Sequence, residues 1–209
     1  LEISTDSASV RTDLNRLSKL INEVNVQKLN FLDIDAEPTT AKRQLMLASL
    51  ILKYIDKSTP IRILIAECEH PATIITALYF AKKYGVEKFL DISPLFETSI
   101  SIERGARIME QALGCLPFRE NIILRKRISI QTGFSDAGRF LGQIAANLAI
   151  ERLQIKLANL VVHYFNGAVD LLLFNTHGES LGRGCAGPTI QDRQNFILTP
   201  LVRNLAREL

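Results

Sequence analysis

The stretch RISIQTGFSD at residues 127–136 decides the fold class, because it joins an apolar run to a glycine turn and then to a polar segment. A short apolar run bounded by glycine is typical of a buried strand. Three further runs of this kind occur at residues 61–66, 89–92 and 168–174. Helical patterns separate the four runs, at residues 72–84, 102–113 and 141 to about 164. Strand and helix alternating in this way predict an α/β fold with parallel strands and right-handed crossovers.

Both ends of the chain are predicted to be helical. Apolar residues at spacings of three and four predict one helix over about 5–24, and a second helix is predicted over 39–58. The second helix ends before Pro60, because proline removes a backbone donor. The acidic segment 33–38 between them is interpreted as a loop, and a last helix is predicted over about 191–208.

Composition excludes several classes of protein. Apolar residues make up 47% of the 209-residue chain and charged residues 22%, which excludes a disordered protein. The net charge is only +3 and no block of five basic residues occurs, so we expect no dedicated nucleic-acid surface. Without an apolar stretch of about 18 residues or a signal-peptide pattern, we expect neither a membrane-spanning helix nor secretion.

Three cysteines, Cys68, Cys115 and Cys185, form no pair at zinc-ligand spacing. We interpret them as free thiols in a reducing compartment, which predicts a cytoplasmic protein. The sequence opens at Leu1 without an initiator methionine, so we expect either processing or a piece of a longer chain.

Chemically reactive side chains cluster where the predicted strands end, which is where parallel α/β proteins carry their sites. The carboxylates of Glu97 and Asp136 end neighbouring strands and could hold a hard divalent cation such as Mg²⁺. The alternative is that each one caps the following helix or pairs with an arginine. Arg139, in the first helical turn after Asp136, is either an anion-binding cation or a surface residue. The segment ECEH at 67–70 has ligand-type side chains, but neighbours in an extended segment point to opposite sides, so at most two share a site.

A glycine-rich loop, GESLGRG at residues 178–184, follows the last predicted strand. Backbone amides of such loops bind anions well, and a plain tight turn is the alternative. The loop has neither the Walker lysine nor the dinucleotide-binding glycine pattern. His177, Glu179 and Arg183 are the polar residues at this strand end.

Three short motifs resemble phosphoenolpyruvate carboxylase in their order and approximate spacing. They are Pro94-Leu95-Phe96-Glu97-Thr98, Gly133-Phe134-Ser135-Asp136, and Gly182-Arg183-Gly184 closing with Pro188. The segment 65–85 is also similar to the helix just upstream in that family, so the likeness covers about residues 61–190. The resemblance implies a partial TIM-type (β/α) barrel over residues 61–209, preceded by a helical lead-in over residues 1–60. The family enzymes are several times longer. The four predicted strands of this chain would form half of a barrel, with two open edges.

The resemblance also implies an activity, the joining of bicarbonate to phosphoenolpyruvate to give oxaloacetate and phosphate with Mg²⁺ or Mn²⁺. The implied metal ligands are Glu97 and Asp136, the implied catalytic residues are Arg139, His177 and Arg183, and the implied substrate-binding residues are Asn175, Gly182 and Gly184. The implied enzyme is a homo-oligomer, a tetramer by family resemblance, with neither nucleic acid nor membrane among its partners.

The chain departs from the family pattern at four positions. Arg139 stands where the family has a catalytic lysine, Asn175 and His177 stand where it has histidine and arginine, and Glu179 replaces a glycine. Arg139 can clamp phosphate but cannot act as a base, because a guanidinium stays protonated. These departures leave two alternatives: a metal- and anion-binding relative without turnover, or another metal-dependent barrel lyase acting on an enol phosphate or 2-oxo acid.

Overall fold

A computed structural model describes residues 7–176 and 186–208 of the chain. Four strands form one sheet, and helices separate them along the chain. The strands are β1 (Ile61–Ile65), β2 (Leu90–Phe96), β3 (Arg127–Thr132) and β4 (Asp170–Asn175). The helices within the described residues are α1 (Ser7–Glu23), α2 (Phe31–Ala36), α3 (Thr40–Tyr54), α4 (Pro71–Lys83), α5 (Ser99–Leu113), α6 (Leu116–Arg125), α7 (Phe134–Leu141), α8 (Gln143–Phe165), α9 (Ile190–Ile197) and α10 (Pro200–Glu208). None of the helices in these ranges is long and apolar enough to cross a membrane.

The sheet is parallel, and its strands lie side by side in the same order as along the chain. β2 pairs with β3 through Leu95 and Gln131, and β3 pairs with β4 along its whole length. Consecutive parallel strands, each reached through a helical crossover, are the repeating unit of a (β/α) barrel. The predicted α/β class is therefore confirmed, and the sheet is consistent with part of a barrel, whose closure stays a prediction.

The chain divides into two compact units, each of which is discontinuous in sequence. The first unit comprises Leu1–Ile63, His70–Ile92 and Ala112–Lys126, and the second comprises Leu64–Glu69, Ser93–Gln111 and Arg127–Leu209. The second unit contains the carboxyl ends of all four strands, so it carries the candidate site.

The first unit is dominated by helices. α1 packs against α4 and α6, with Val10, Leu14 and Ile21 buried at the four- and seven-residue spacing of one helix face. An ion pair anchors the end of α6, since Arg125 donates to the Asp91 carboxylate from Nε at 2.9 Å and from Nη2 at 2.8 Å. The two side chains are mostly buried, 15% exposed for Arg125 and 9% for Asp91, so this pair is a fixed link between α6 and the start of β2.

The second unit contains α7, α8, α10 and most of α5. α8 contacts α7, α10 and β4, and it buries Ile150, Leu153 and Leu157. Gly105 lets α5 approach closely, because a Cβ at this position would lie 3.1 Å from both Leu153 and Phe96.

Two segments without a predicted helix are helical. Residues 31–36 form α2, so the predicted loop 33–38 is wrong over residues 33–36. A capping box explains α2, because the Asn30 side chain accepts from the N–H of Asp33 and the Asp33 carboxylate accepts from the N–H of Asn30. No helix was predicted after Leu113, yet α6 forms there with Pro117 in its first turn, where a missing N–H costs nothing.

The structure adds a helix, α7, before the predicted helix that starts at residue 141, and it splits the last predicted helix in two. Gly142 separates α7 from α8 with a φ of +82°, a backbone conformation that L side chains rarely adopt. The last predicted helix divides into α9 and α10, because the residue before Pro200 is biased away from helix. β2 also runs on through Pro94 to Phe96, and it pairs with β3 directly after the proline.

Candidate active site

Glu97 lies directly after β2, and the turn that follows β1 holds its carboxylate. The backbone N–H of Glu67 donates to Oε1 of Glu97 at 3.2 Å. Glu67 has a φ of +46°, in the left-handed region that costs an L residue about 1–2 kcal/mol. The same turn is tied to the sheet by Cys68, whose N–H donates to the Leu95 carbonyl at 3.2 Å. A strained but anchored turn therefore presents a backbone donor to Glu97.

The backbone of Glu97 is fixed from the other side by the start of α5. The hydroxyl of Ser101, which is fully buried, accepts from the N–H groups of Glu97 and Thr98 at 3.0 Å each. The Thr98 hydroxyl accepts from the N–H of Ser101 at 3.1 Å and donates to Oε1 of Glu69 at 2.6 Å. Both the main chain and the side chain of Glu97 are thus held in place before any ligand binds.

Gly133, directly after β3, makes room for Glu97. Its N–H donates to the Phe96 carbonyl at 2.9 Å, which continues the pairing of β2 with β3. A Cβ on Gly133 would lie 2.4 Å from the Cβ of Glu97 and 3.3 Å from its Oε2. Two carbon atoms that are not bonded cannot lie 2.4 Å apart, so no residue with a Cβ fits at this position. The Glu97 carboxylate therefore lies against the backbone of Gly133, which leads into α7.

Asp136 and Arg139 form an ion pair on α7. Asp136 is in the first turn of the helix, and its Oδ1 accepts from Nη2 of Arg139 at 2.6 Å. Arg139 also donates to the carbonyl of Ser135 at 3.3 Å and to its hydroxyl at 3.1 Å. The side chains are 42% exposed for Asp136 and 60% exposed for Arg139, and exposed pairs of this kind contribute only about 0–1 kcal/mol. A ligand can therefore separate them at little cost.

Asn175 ends β4 and is held by two donors. Its Oδ1 accepts from the hydroxyl of Thr132 at 2.5 Å and from Nε2 of Gln154 at 2.9 Å. Thr132 and Gln154 are almost completely buried, whereas Asn175 is partly exposed. The next residue, Thr176, accepts from the N–H of Phe134 at 3.2 Å, which ties the end of β4 to the start of α7.

Gln154 and Thr132 were not predicted as site residues. Gln154 occupies the buried stripe of α8, between Ile150 and Leu157. A glutamine within an apolar stripe indicates a buried polar partner, because buried amides are almost always hydrogen-bonded. The sequence therefore contained a signal for Gln154, but nothing in it named Asn175 as the partner.

Among the predicted site residues, Asp136 and Arg139 contact each other, whereas Glu97 and Asn175 are held by other residues. Asp136 contacts Arg139, Glu97 contacts the Glu67 turn and Gly133, and Asn175 contacts Thr132 and Gln154. At the end of β4, several residues singled out in the sequence lie outside the described residues: His177, Glu179, Gly182, Arg183 and Gly184.

Glu97 and Asp136 each present a carboxylate oxygen, the ligand type that a hard divalent cation prefers. Glu97 keeps Oε2 and Asp136 keeps Oδ2 without a hydrogen bond from any described residue. Mg²⁺ is commonly held by one or two protein carboxylates, with water and substrate completing its shell. Among the described residues, no group of three or more His, Cys, Asp or Glu side chains is placed to hold a metal, so residues 67–70 form no such cluster.

Comparison with known proteins identifies the family of this segment. The sequence model of phosphoenolpyruvate carboxylase matches residues 12–192, which include all the site residues described above. The chain belongs to the phosphoenolpyruvate carboxylase family. The resemblance inferred from the three motifs is thereby confirmed, while the roles of individual phosphoenolpyruvate carboxylase site residues in this chain stay predictions.

Named relatives give the extent of the match. The phosphoenolpyruvate carboxylase of Marinomonas sp. (strain MWYL1) is 27% identical over 176 residues, which cover 84% of this chain and 19% of that protein. That of Pseudomonas paraeruginosa is 25% identical over 173 residues, covering 83% of this chain and 19% of the relative. That of Acinetobacter baumannii is 30% identical over 128 residues, which cover 61% of this chain and 14% of the relative. The chain thus spans about a fifth, or less, of the length of these curated relatives.

Proposed function

We propose that this chain is part of an enzyme that carboxylates phosphoenolpyruvate with bicarbonate to give oxaloacetate and phosphate. The observation that carries the proposal is the fixed Glu97 carboxylate at the end of β2, set against Gly133 at the entry to the Asp136 segment. Membership of the phosphoenolpyruvate carboxylase family supports the choice of substrate. The whole activity belongs to the longer protein, because this chain spans about a fifth of its relatives.

Glu97 and Asp136 are the proposed ligands of a Mg²⁺ or Mn²⁺ ion. When bound, the cation supplies positive charge that stabilises an enolate oxygen. Glu97 is held by the N–H of Glu67 through Oε1, so its other oxygen needs no reorganisation to bind the ion. Asp136 can bind the ion through Oδ2, and releasing Arg139 from its Oδ1 is inexpensive because the ion pair is exposed.

Arg139 and Asn175 are the proposed anion-binding groups of the described residues. Arg139, once separated from Asp136, neutralises the phosphoryl group as it passes from the substrate to bicarbonate. Asn175 donates a hydrogen bond through its amide nitrogen, since its oxygen is already engaged by Thr132 and Gln154. The phosphorylated bicarbonate then yields carbon dioxide and phosphate, and the enolate carbon bonds to carbon dioxide to give oxaloacetate.

The test is product formation by the full-length protein. We expect equal amounts of oxaloacetate and phosphate, formed only when phosphoenolpyruvate, bicarbonate and a divalent cation are all present. Oxaloacetate is measured by its reduction with NADH, and phosphate is measured separately. Release of a different product would assign another lyase activity and contradict the proposal.

One structural feature favours a second candidate, a relative that binds the substrate without turnover. Arg139, which cannot give up a proton, pairs with Asp136 at a position where the resemblance implies a lysine. Under this alternative, the full-length protein binds phosphoenolpyruvate with a divalent cation and forms no product.

We further propose a cytoplasmic homo-oligomer for the full-length protein. Among the described residues, Cys68 and Cys115 are buried and form no disulfide, which supports a reducing compartment, and Cys185 lies outside the described residues. Burial raises the pKa of the Cys115 thiol and keeps it in its unreactive protonated form. The tetramer implied by the family resemblance is tested by sedimentation of the full-length protein.

A further inference from the structure

We infer that Gln154 is a positioning residue that fixes the side-chain amide of Asn175 with its nitrogen free to donate to the anionic substrate. This inference rests on the proposed function of the same site. Gln154 is 1% exposed on α8, and its Nε2 donates to Oδ1 of Asn175 at 2.9 Å. A glutamine buried to this degree is costly unless its polar groups are bonded, so its place in an apolar stripe depends on this contact.

The Gln154 donor on Oδ1 determines which way the amide of Asn175 faces. An asparagine amide has an acceptor oxygen on one side and a donor nitrogen on the other, and the two are similar in shape. Gln154 donates to the oxygen at 2.9 Å, so a flipped amide would place the Asn175 nitrogen against the Gln154 nitrogen. The Thr132 hydroxyl, at 2.5 Å from the same oxygen, adds a second hydrogen bond to the observed orientation. Burial of Thr132 and Gln154 removes water as a substitute partner.

The amide nitrogen of Asn175 is therefore left available for a ligand. Nδ2 makes no hydrogen bond with any residue in the described part of the chain, and Asn175 is partly exposed. A donor at this strand end suits a phosphate or carboxylate oxygen, whereas the flipped amide would present an oxygen to the same anion. Gln154 thus acts on the substrate through Asn175 without touching it.

The test uses the full-length protein with Gln154→Met, which keeps an unbranched side chain and removes the donor. We expect kcat/KM for phosphoenolpyruvate to fall about 3- to 10-fold, as the loss of one hydrogen bond predicts. The binding constant of phosphoenolpyruvate in the presence of Mg²⁺, measured by calorimetry, should weaken in parallel. Gln194→Met makes the same substitution at an exposed position of α9 and should change neither value.

A double-mutant cycle separates positioning from general damage. In an Asn175→Ala background, Gln154→Met should cause no further loss, because the group it positions is gone. A second pair of variants repeats the test at Thr132, where Thr132→Val removes the hydroxyl and Thr132→Ser retains it. We expect the valine variant to behave like Gln154→Met and the serine variant to remain close to the wild type.

The outcomes distinguish the inference from the function on which it rests. Additive losses in the cycle, or a Gln154→Met variant with unchanged kinetics and binding, would overturn the positioning role. A wild type that binds phosphoenolpyruvate without turning it over would overturn the proposed function alone, and the binding constants would still decide the role of Gln154. A wild type that neither binds nor turns over phosphoenolpyruvate would overturn both.

Discussion

Gly133 and Glu97 face each other across the ends of β3 and β2, and a methyl group on Gly133 would lie 2.4 Å from the Cβ of Glu97. Gly133→Ala must therefore displace the Glu97 carboxylate from its contact with Glu67. We expect the affinity of the full-length protein for Mn²⁺ to fall about 10-fold or more, as it does when a residue that orients a metal-binding side chain is changed. The affinity is measured by electron paramagnetic resonance of the free ion.

A matched glycine in α7 provides the control for this prediction. A Cβ on Gly138 would come nearest to the ring of Phe134, at 3.1 Å, and alanine is the better helix former. Gly138→Ala should leave the Mn²⁺ affinity near that of the wild type. Equal affinities for the wild type and Gly133→Ala would show that the position of Glu97 does not matter to the ion.

Arg139 is the residue at which the chemistry of this chain is expected to differ most from its relatives. Arg139→Lys substitutes a group that can release its proton, so we expect kcat of the full-length enzyme to rise with increasing pH, by up to about 100-fold if proton transfer limits turnover. The measurement is the pH profile of kcat, with Arg107→Lys on the exposed surface of α5 as the control. A flat profile with reduced kcat would restrict Arg139 to clamping an anion.

At the scale of elements, α6 depends on one ion pair. Arg125 contacts the Asp91 carboxylate through two nitrogens, and its Nη1 donates to the Lys88 carbonyl at 2.6 Å. Asp91→Asn removes the charge and leaves a buried guanidinium with a weaker partner, so we expect the free energy of unfolding to fall by about 1.5–3 kcal/mol. Urea unfolding measures the change, and Asp35→Asn at an exposed position of α2 should stay within about 0.5 kcal/mol. Equal losses in both variants would contradict the role assigned to the pair.

Periodicity and turn residues were sufficient to predict all four strands, because each is a short apolar run between punctuating residues. The short helix α7 and the split between α9 and α10 were harder to predict. The boundary between α7 and α8 depends on the positive φ of Gly142, which becomes evident only in three dimensions. α2 was missed because the capping box of Asn30 and Asp33 was outweighed by the nearby proline.

The candidate site was predictable only in part, because the contacts that hold its residues also depend on the three-dimensional structure. Residues that end a strand can be read along the chain, so Glu97 and Asp136 were predicted. The groups that hold them depend on strand pairing and on helix placement. The N–H of Glu67 reaches Glu97 across 30 positions, and Gln154 reaches Asn175 across 21. Such partners need the register of the sheet, which a single sequence does not supply.

At the scale of the whole molecule, β4 is a terminal strand of the sheet as described. Leu172 on this strand is 36% exposed, and a cavity of about 600 Å³ runs along β4, α8 and α10. An apolar edge strand promotes association between chains. We expect the 209-residue chain on its own to self-associate and Leu172→Lys to reduce the association, measured by sedimentation. Ile55→Lys, at a residue that is 79% exposed after α3, is the control and should have less effect.

The number of Mn²⁺ ions bound by the full-length protein tests most directly whether Glu97 and Asp136 share one ion. The account predicts one tightly bound ion per chain that is lost in Glu97→Gln and equally in Asp136→Asn, with no further loss in the double variant. Glu110→Gln, at an exposed position of α5, should bind like the wild type. Wild-type binding by either Glu97→Gln or Asp136→Asn would contradict the shared site.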